Sequence, residues 1–240
     1  MSGEIVQVIN QGPGIWGNVA TGLITAGAAI GAVMLTHRFT LRREKLAAED
    51  KLQRERYFIA TELVFLLERF AEDCAGVATD DGEYDASGER EPITDLPVLM
   101  LDDVKGDWRV LPALLMFRIR ELPILQHESR RMTAGAGEYG IPPEYKSYFQ
   151  ERQYQYARLG LKAIIQARRL RKSAGLPDTR LDAANWSPQP AMWTVWRRER
   201  RRRAAEAIRS AQWDKTVNAE DDAGTVSKSD GHHRMAGVES

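Results

Sequence analysis

Residues 15–36 read IWGNVATGLITAGAAIGAVMLT, 22 residues without a charged side chain. The uncharged run reaches back to Ile5, because Glu4 is the last ionisable residue before His37. A helix of about 20 residues rises roughly 30 Å, the thickness of a bilayer's hydrocarbon core, and satisfies its own backbone hydrogen bonds in lipid. The stretch is therefore expected to be a single transmembrane anchor, with a buried helix of a soluble assembly as the alternative. No Lys or Arg precedes it, so the positive region of a cleaved signal peptide is missing.

The flanks set the expected orientation. Arg38, Arg42, Arg43 and Lys45 follow the stretch, whereas only Glu4 precedes it. The positive-inside rule then leaves the amino terminus outside and the remaining chain in the cytoplasm, at the inner (plasma) membrane. The single cysteine, Cys74, agrees with a reducing compartment. Asn185-Trp186-Ser187 matches a glycosylation acceptor that a cytoplasmic segment never presents to that machinery. Within the stretch, Gly27 with Gly31 and Ala28 with Ala32 are four apart, a spacing that lets two helix backbones approach in lipid and so offers a route to a homo-oligomer.

Composition bounds the rest. The chain has 240 residues, with 34 basic and 34 acidic side chains, so net charge selects no partner. Charge distribution is more informative. Residues 79–107 hold ten acidic against two basic residues, and residues 144–175 hold eight basic against two acidic. The two segments are placed to attract one another across a folded domain.

Moving outward, residues 1–14 read as a short external tail and 37–56 as a charged helical stalk, with Lys45–Glu49 and Lys51–Glu55 at i,i+4. Ile59, Leu63, Leu66, Phe70, Cys74 and Val77 continue one helical face from Leu52, which places Cys74 in a core. Residues 79–107 read as an acidic solvated loop; its Asp80, Asp81, Glu83 and Asp85 lack calcium-loop spacing, since Gly82 and Tyr84 stand where ligands belong.

Asp107 is expected to cap a second helix over 108–133, tolerating Pro112 and kinked or split at Pro123. Gly135, Gly137 and Gly140 spell a dinucleotide fingerprint, but a helical pattern precedes it and two prolines follow, so a turn is expected. A third helix starts at Pro143, buries Tyr145, Tyr148, Phe149, Tyr156, Leu159, Ala163, Ala167 and Leu170, and stops at Gly175. Residues 57–175 thus form a bundle, followed by a linker at 176–190.

Residues 191–213 form an Arg-rich helix in which Arg197, Arg198, Arg200, Arg201, Arg202 and Arg203 surround one glutamate. That basic patch suits anionic membrane lipid, with Met192, Trp193 and Trp196 at the interface, or nucleic-acid phosphates, or a merely solvated helix. On a helical wheel the arginines point all around the axis. Residues 214–240 are polar, without periodicity, and expected to be disordered.

Common catalytic motifs are missing: no Walker loop, HExxH, GxSxG or CxxC occurs, and no histidine has a Glu three residues before it. No catalytic, cofactor-binding or metal-ligating residue is assigned. The fold class is all-α, a single transmembrane helix followed by a cytoplasmic antiparallel three-helix bundle with coiled-coil-like faces. The expected function is a membrane-anchored interaction or assembly module that binds membrane lipid and a protein partner. A nucleic-acid-associated membrane protein and an enzyme with an unrecognised site are the alternatives.

Overall fold

The computed structural model describes the backbone of residues 15–233 and the side chains of residues 31–213, 215 and 216. The described chain is almost entirely helical: α1 (Ile15–Thr79), α2 (Ala113–Glu138), α3 (Lys146–Ala174) and α4 (Pro188–His233). The only strands among the described residues are β1 (Glu83–Tyr84) and β2 (Arg90–Glu91), an antiparallel pair within the acidic loop.

The chain divides into two compact units, Met1–Arg54 and Glu55–Ser240. In the first, every described side chain from Gly31 to Arg54 is exposed. Among the described residues no helix is long and apolar enough to cross a membrane. That finding gives the expected transmembrane helix no support, and most of the stretch concerned, residues 15–30, has side chains outside the described residues. Gly27 and Ala28 lie there too. Gly31 and Ala32 are exposed on α1, and a Cβ built on Gly31 meets nothing within 4 Å.

In the second unit the apolar face expected from the seven- and four-residue steps is the buried one. Ile59, Leu63, Phe70, Cys74 and Val77 are all buried, with Leu66 half-buried beside Leu67. Burial pushes the Cys74 thiol well above its ordinary range, and Asp73 adds to the shift. A thiol held protonated in a core is a packing group.

α3 lies at the centre. Its buried residues occur around most of its circumference, from Phe149 to Ala174, and it packs against both α2 and α4. On one side its small residues Ala157, Gly160, Ala163 and Ala167 let neighbouring backbones come close. At Gly160 a Cβ would stand 2.8 Å from Cys74 Cβ and closer still to Met192 Sδ, so α1, α3 and α4 meet at this one position. Three bundle helices were expected; the structure adds the start of α4 as a fourth, with Met192 and Val195 in the same core.

Several boundaries differ from expectation for local reasons. Asp107 does cap, accepting from the Arg109 amide, but it caps a single 3-10 turn (Trp108–Val110), because Pro112 blocks propagation and α2 begins after it. Pro123 lies inside α2 without ending it. Gly135 and Gly137 are helical, so the glycine pattern is no turn until Gly140. α3 starts at Lys146 rather than at Pro143, behind a left-handed Tyr145. It ends as expected at Gly175, whose positive φ of 69° turns its amide back to the Arg171 carbonyl. α4 continues to His233, with no proline after Pro190 to stop it; residues 234–240 lie outside the described residues.

Candidate functional site

The apolar stripe of α3 steps through Phe149, Tyr156, Leu159, Ala163, Ala167 and Leu170, and at the position between Phe149 and Tyr156 it carries Arg152. A guanidinium on a core stripe needs a buried anion. Asp80 supplies it: Arg152 Nη1 donates to Asp80 Oδ2 at 2.8 Å, and each side chain is 1% exposed. Arg152 Nη2 also donates to the Thr94 carbonyl. Asp80 accepts from the backbone amides of Gly82 (2.8 Å), Thr94 (2.8 Å) and Ile93 (3.1 Å), so its carboxylate ties the start of the acidic loop to its middle. Burial by itself raises the Asp80 carboxyl, but the Thr94 and Gly82 amides and the Arg152 guanidinium outweigh it and hold the group below the ordinary carboxylate range.

The expectation of a solvated acidic loop is therefore wrong at its first acid, Asp80, which forms a buried ion pair between the acidic and basic segments. The loop's other acids stay at the surface.

Gln153 extends the network. Its Nε2 donates to the Asp80 carbonyl (2.9 Å) and to Asp81 Oδ1 (2.8 Å), while its Oε1 accepts from Arg198 Nη2 (2.8 Å). Arg198 Nε reaches Glu199 Oε1 at 3.2 Å, Arg202 Nε reaches Glu199 Oε2 at 2.8 Å, and Arg202 Nη1 reaches Glu206 Oε1 at 2.6 Å. Glu199, the one acid in the arginine run, is 3% exposed at its side chain. It lies one helical stripe on from Met192 and Val195, so its burial follows from their packing. Arg203 pairs with Glu151 and lies 4.0 Å over the Tyr154 ring. One hydrogen-bonded chain thus joins the acidic loop, α3 and α4.

Beside this chain is an open cleft of about 460 Å³, lined by Asp81, Arg90, Lys146, Phe149, Gln153 and Glu199 among others. Arg90 covers the Phe149 ring at 4.2 Å. Of the carboxylates here, Glu199 accepts from two arginines, Asp81 from Gln153 and Glu144 from the Tyr84 hydroxyl. No group of three metal-ligating side chains occurs among the described residues.

The six arginines of the basic patch are thereby sorted. Arg198 and Arg203 reach Gln153 and Glu151 on α3 and Arg202 pairs with Glu199 and Glu206 on its own helix, while Arg197, Arg200 and Arg201 are exposed. Arg197 stacks on Trp193 at 5.4 Å and Arg200 on Trp196 at 4.7 Å, and the two indoles meet edge to face at 5.0 Å.

A second surface lies on α2. Leu114, Phe117 and Ile124 are 60–70% exposed on one side of the helix. Between α2 and α3 runs a groove of about 520 Å³, floored by Leu122, Leu125 and Ile165 and edged by Arg118, Lys162 and Arg169 against a single acid, Glu121. Leu114 faces solvent, whereas its neighbour Leu115 is buried.

No protein-family model, curated protein or solved structure matches this chain.

Proposed function

We propose that this chain is a membrane-tethered interaction module whose docking site is the α2–α3 groove. The groove carries the reading: an apolar floor open to solvent, rimmed by three cations against one acid, fits an amphipathic partner helix with acidic flanks. Large exposed apolar side chains on one helix face, as at Phe117 and Ile124, mark surfaces that a partner covers. The tether is the uncharged stretch Ile15–Thr36 with its basic carboxyl-side flank. Holding the domain at the inner leaflet raises the effective concentration of partners held there too.

Each half has its own test. Carbonate extraction of membranes, with protease accessibility of the carboxyl terminus in spheroplasts, checks the tether: the protein should resist extraction with its tail protected, and a chain lacking residues 1–36 should become soluble. Extraction of the intact protein would remove the tether. For the groove, a photo-crosslinking residue at position 117 should yield a discrete adduct in cells that disappears with Ile165→Glu. An adduct no stronger than from exposed Glu72 would remove the groove from consideration.

A further inference from the structure

We propose that the outward face of α4 binds the anionic phosphate surface of a lipid bilayer. At 100° per residue, Trp193, Arg197, Arg200, Arg201, Ala204 and Ile208 fall within an arc of about 100°. Arg197, Arg200, Arg201, Ala204 and Ile208 are all exposed, and Trp193 is half-buried at the edge of the face. Both acids of this part of the helix, Glu199 and Glu206, point the other way, into salt bridges with Arg198 and Arg202. The inner arginines are thus paired, by Glu199 and Glu206 of α4 itself and by Glu151 of α3, while the outer face carries three arginines and no acid.

The outer arginines are held in place. Arg197 lies over the Trp193 ring at 5.4 Å and Arg200 over the Trp196 ring at 4.7 Å, within cation–π range. A guanidinium edge suits a phosphate oxygen pair, and a ring beneath it reduces the ordering needed on binding. The paired indoles are in turn seated against the bundle core, so the platform is fixed. Between lipid and nucleic acid, the rest of the face decides. Ala204 and Ile208 continue it with apolar surface, and indoles beside arginines suit the headgroup level of a bilayer. This inference rests neither on the α2–α3 groove nor on the anchor.

The test uses the full chain in nanodiscs of phosphatidylcholine alone and with a third of phosphatidylserine. Arginine modification by phenylglyoxal is read at each site by mass spectrometry. Arg197, Arg200 and Arg201 should be protected at least about tenfold in the anionic discs and deprotected by added salt, as expected for charge contacts at a lipid surface. Arg118 on α2 should react alike in both. Equal rates at the three sites in the two lipids would overturn the proposal. So would stronger protection by a single-stranded oligonucleotide in neutral discs, which would assign the face to nucleic acid. If the chain does not enter discs, the anchor is lost but not this inference. The same modification is then run with phosphatidylserine vesicles added to the soluble chain, where protection upholds the face and its absence overturns it.

Discussion

Replacing Arg152 with methionine is expected to destabilise the Glu55–Ser240 unit by about 3–5 kcal/mol, because it strands the Asp80 carboxylate in the core without its counter-ion. Methionine keeps much of the side-chain volume, so the loss measures charge and hydrogen bonding rather than a cavity. The variant also removes the donor to the Thr94 carbonyl, so the acidic loop loses its tie to α3 at two points. Urea denaturation of the full chain, followed by helical circular dichroism, reads the effect. The double variant Asp80→Asn with Arg152→Met removes both charges and should recover part of the loss, the signature of coupling between contacting residues. A cost for Arg152→Met below about 1 kcal/mol, the worth of a surface pair, would show the pair to be incidental.

The same pair predicts a pH dependence. The folded-state pKa of Asp80 is depressed, so its contribution is complete above the unfolded value of about 3.9 and is lost as pH falls through the lower folded value. Wild type should therefore lose stability on acidification below about pH 4 more steeply than Asp80→Asn, which has no carboxyl to titrate at that site. Equal slopes for the two proteins would contradict the assignment.

Replacing Gly160 with valine is expected to cost about 3 kcal/mol, although glycine is a poor helix former and alanine alone would gain about 1 kcal/mol in propensity. Even the first added carbon stands 2.8 Å from Cys74 Cβ, an atom that moves only if α1 moves with it. Met192 Sδ, the other obstacle, belongs to a flexible side chain but one that is fully buried, so it has nowhere empty to go. Gly160→Ala combined with Met192→Ala should therefore be less destabilised than the two single costs predict, because the cavity left by one change receives the methyl of the other. If Gly160→Val melts with wild type, the three helices do not converge there.

The apolar faces were legible because burial in a helix leaves a 3.6-residue period. Ile59, Leu63, Phe70, Cys74 and Val77 on α1, Leu115, Ile119 and Leu122 on α2, and Phe149, Tyr156, Leu159, Ala163, Ala167 and Leu170 on α3 follow that spacing, and all are buried. Their ends were less so. The Trp108–Val110 turn and the delayed start of α3 depend on how Pro112, Pro142 and Pro143 are used, and propensity alone ranks those alternatives too closely. The centrality of α3 left only an indirect trace, its run of Ala157, Gly160, Ala163 and Ala167, since a small residue reads the same on a surface as at a close helix crossing.

The polar site was half legible. Arg152 interrupts an apolar stripe and Glu199 continues one, and a charge on such a stripe predicts a buried partner. The partner's identity does not follow, because Asp80 is 72 positions away and looks like its solvated neighbours Asp81, Glu83 and Asp85. By itself, then, the sequence determined an all-helical chain, the faces that form its core and one uncharged stretch long enough to be an anchor. Only the tertiary structure decided which of six arginines in Arg197–Arg203 are neutralised by the bundle and which remain outward. Arg202 could find Glu199 and Glu206 by spacing along its own helix, whereas Arg203 meets Glu151, and Arg198 meets Gln153, only because packing brings α3 within reach.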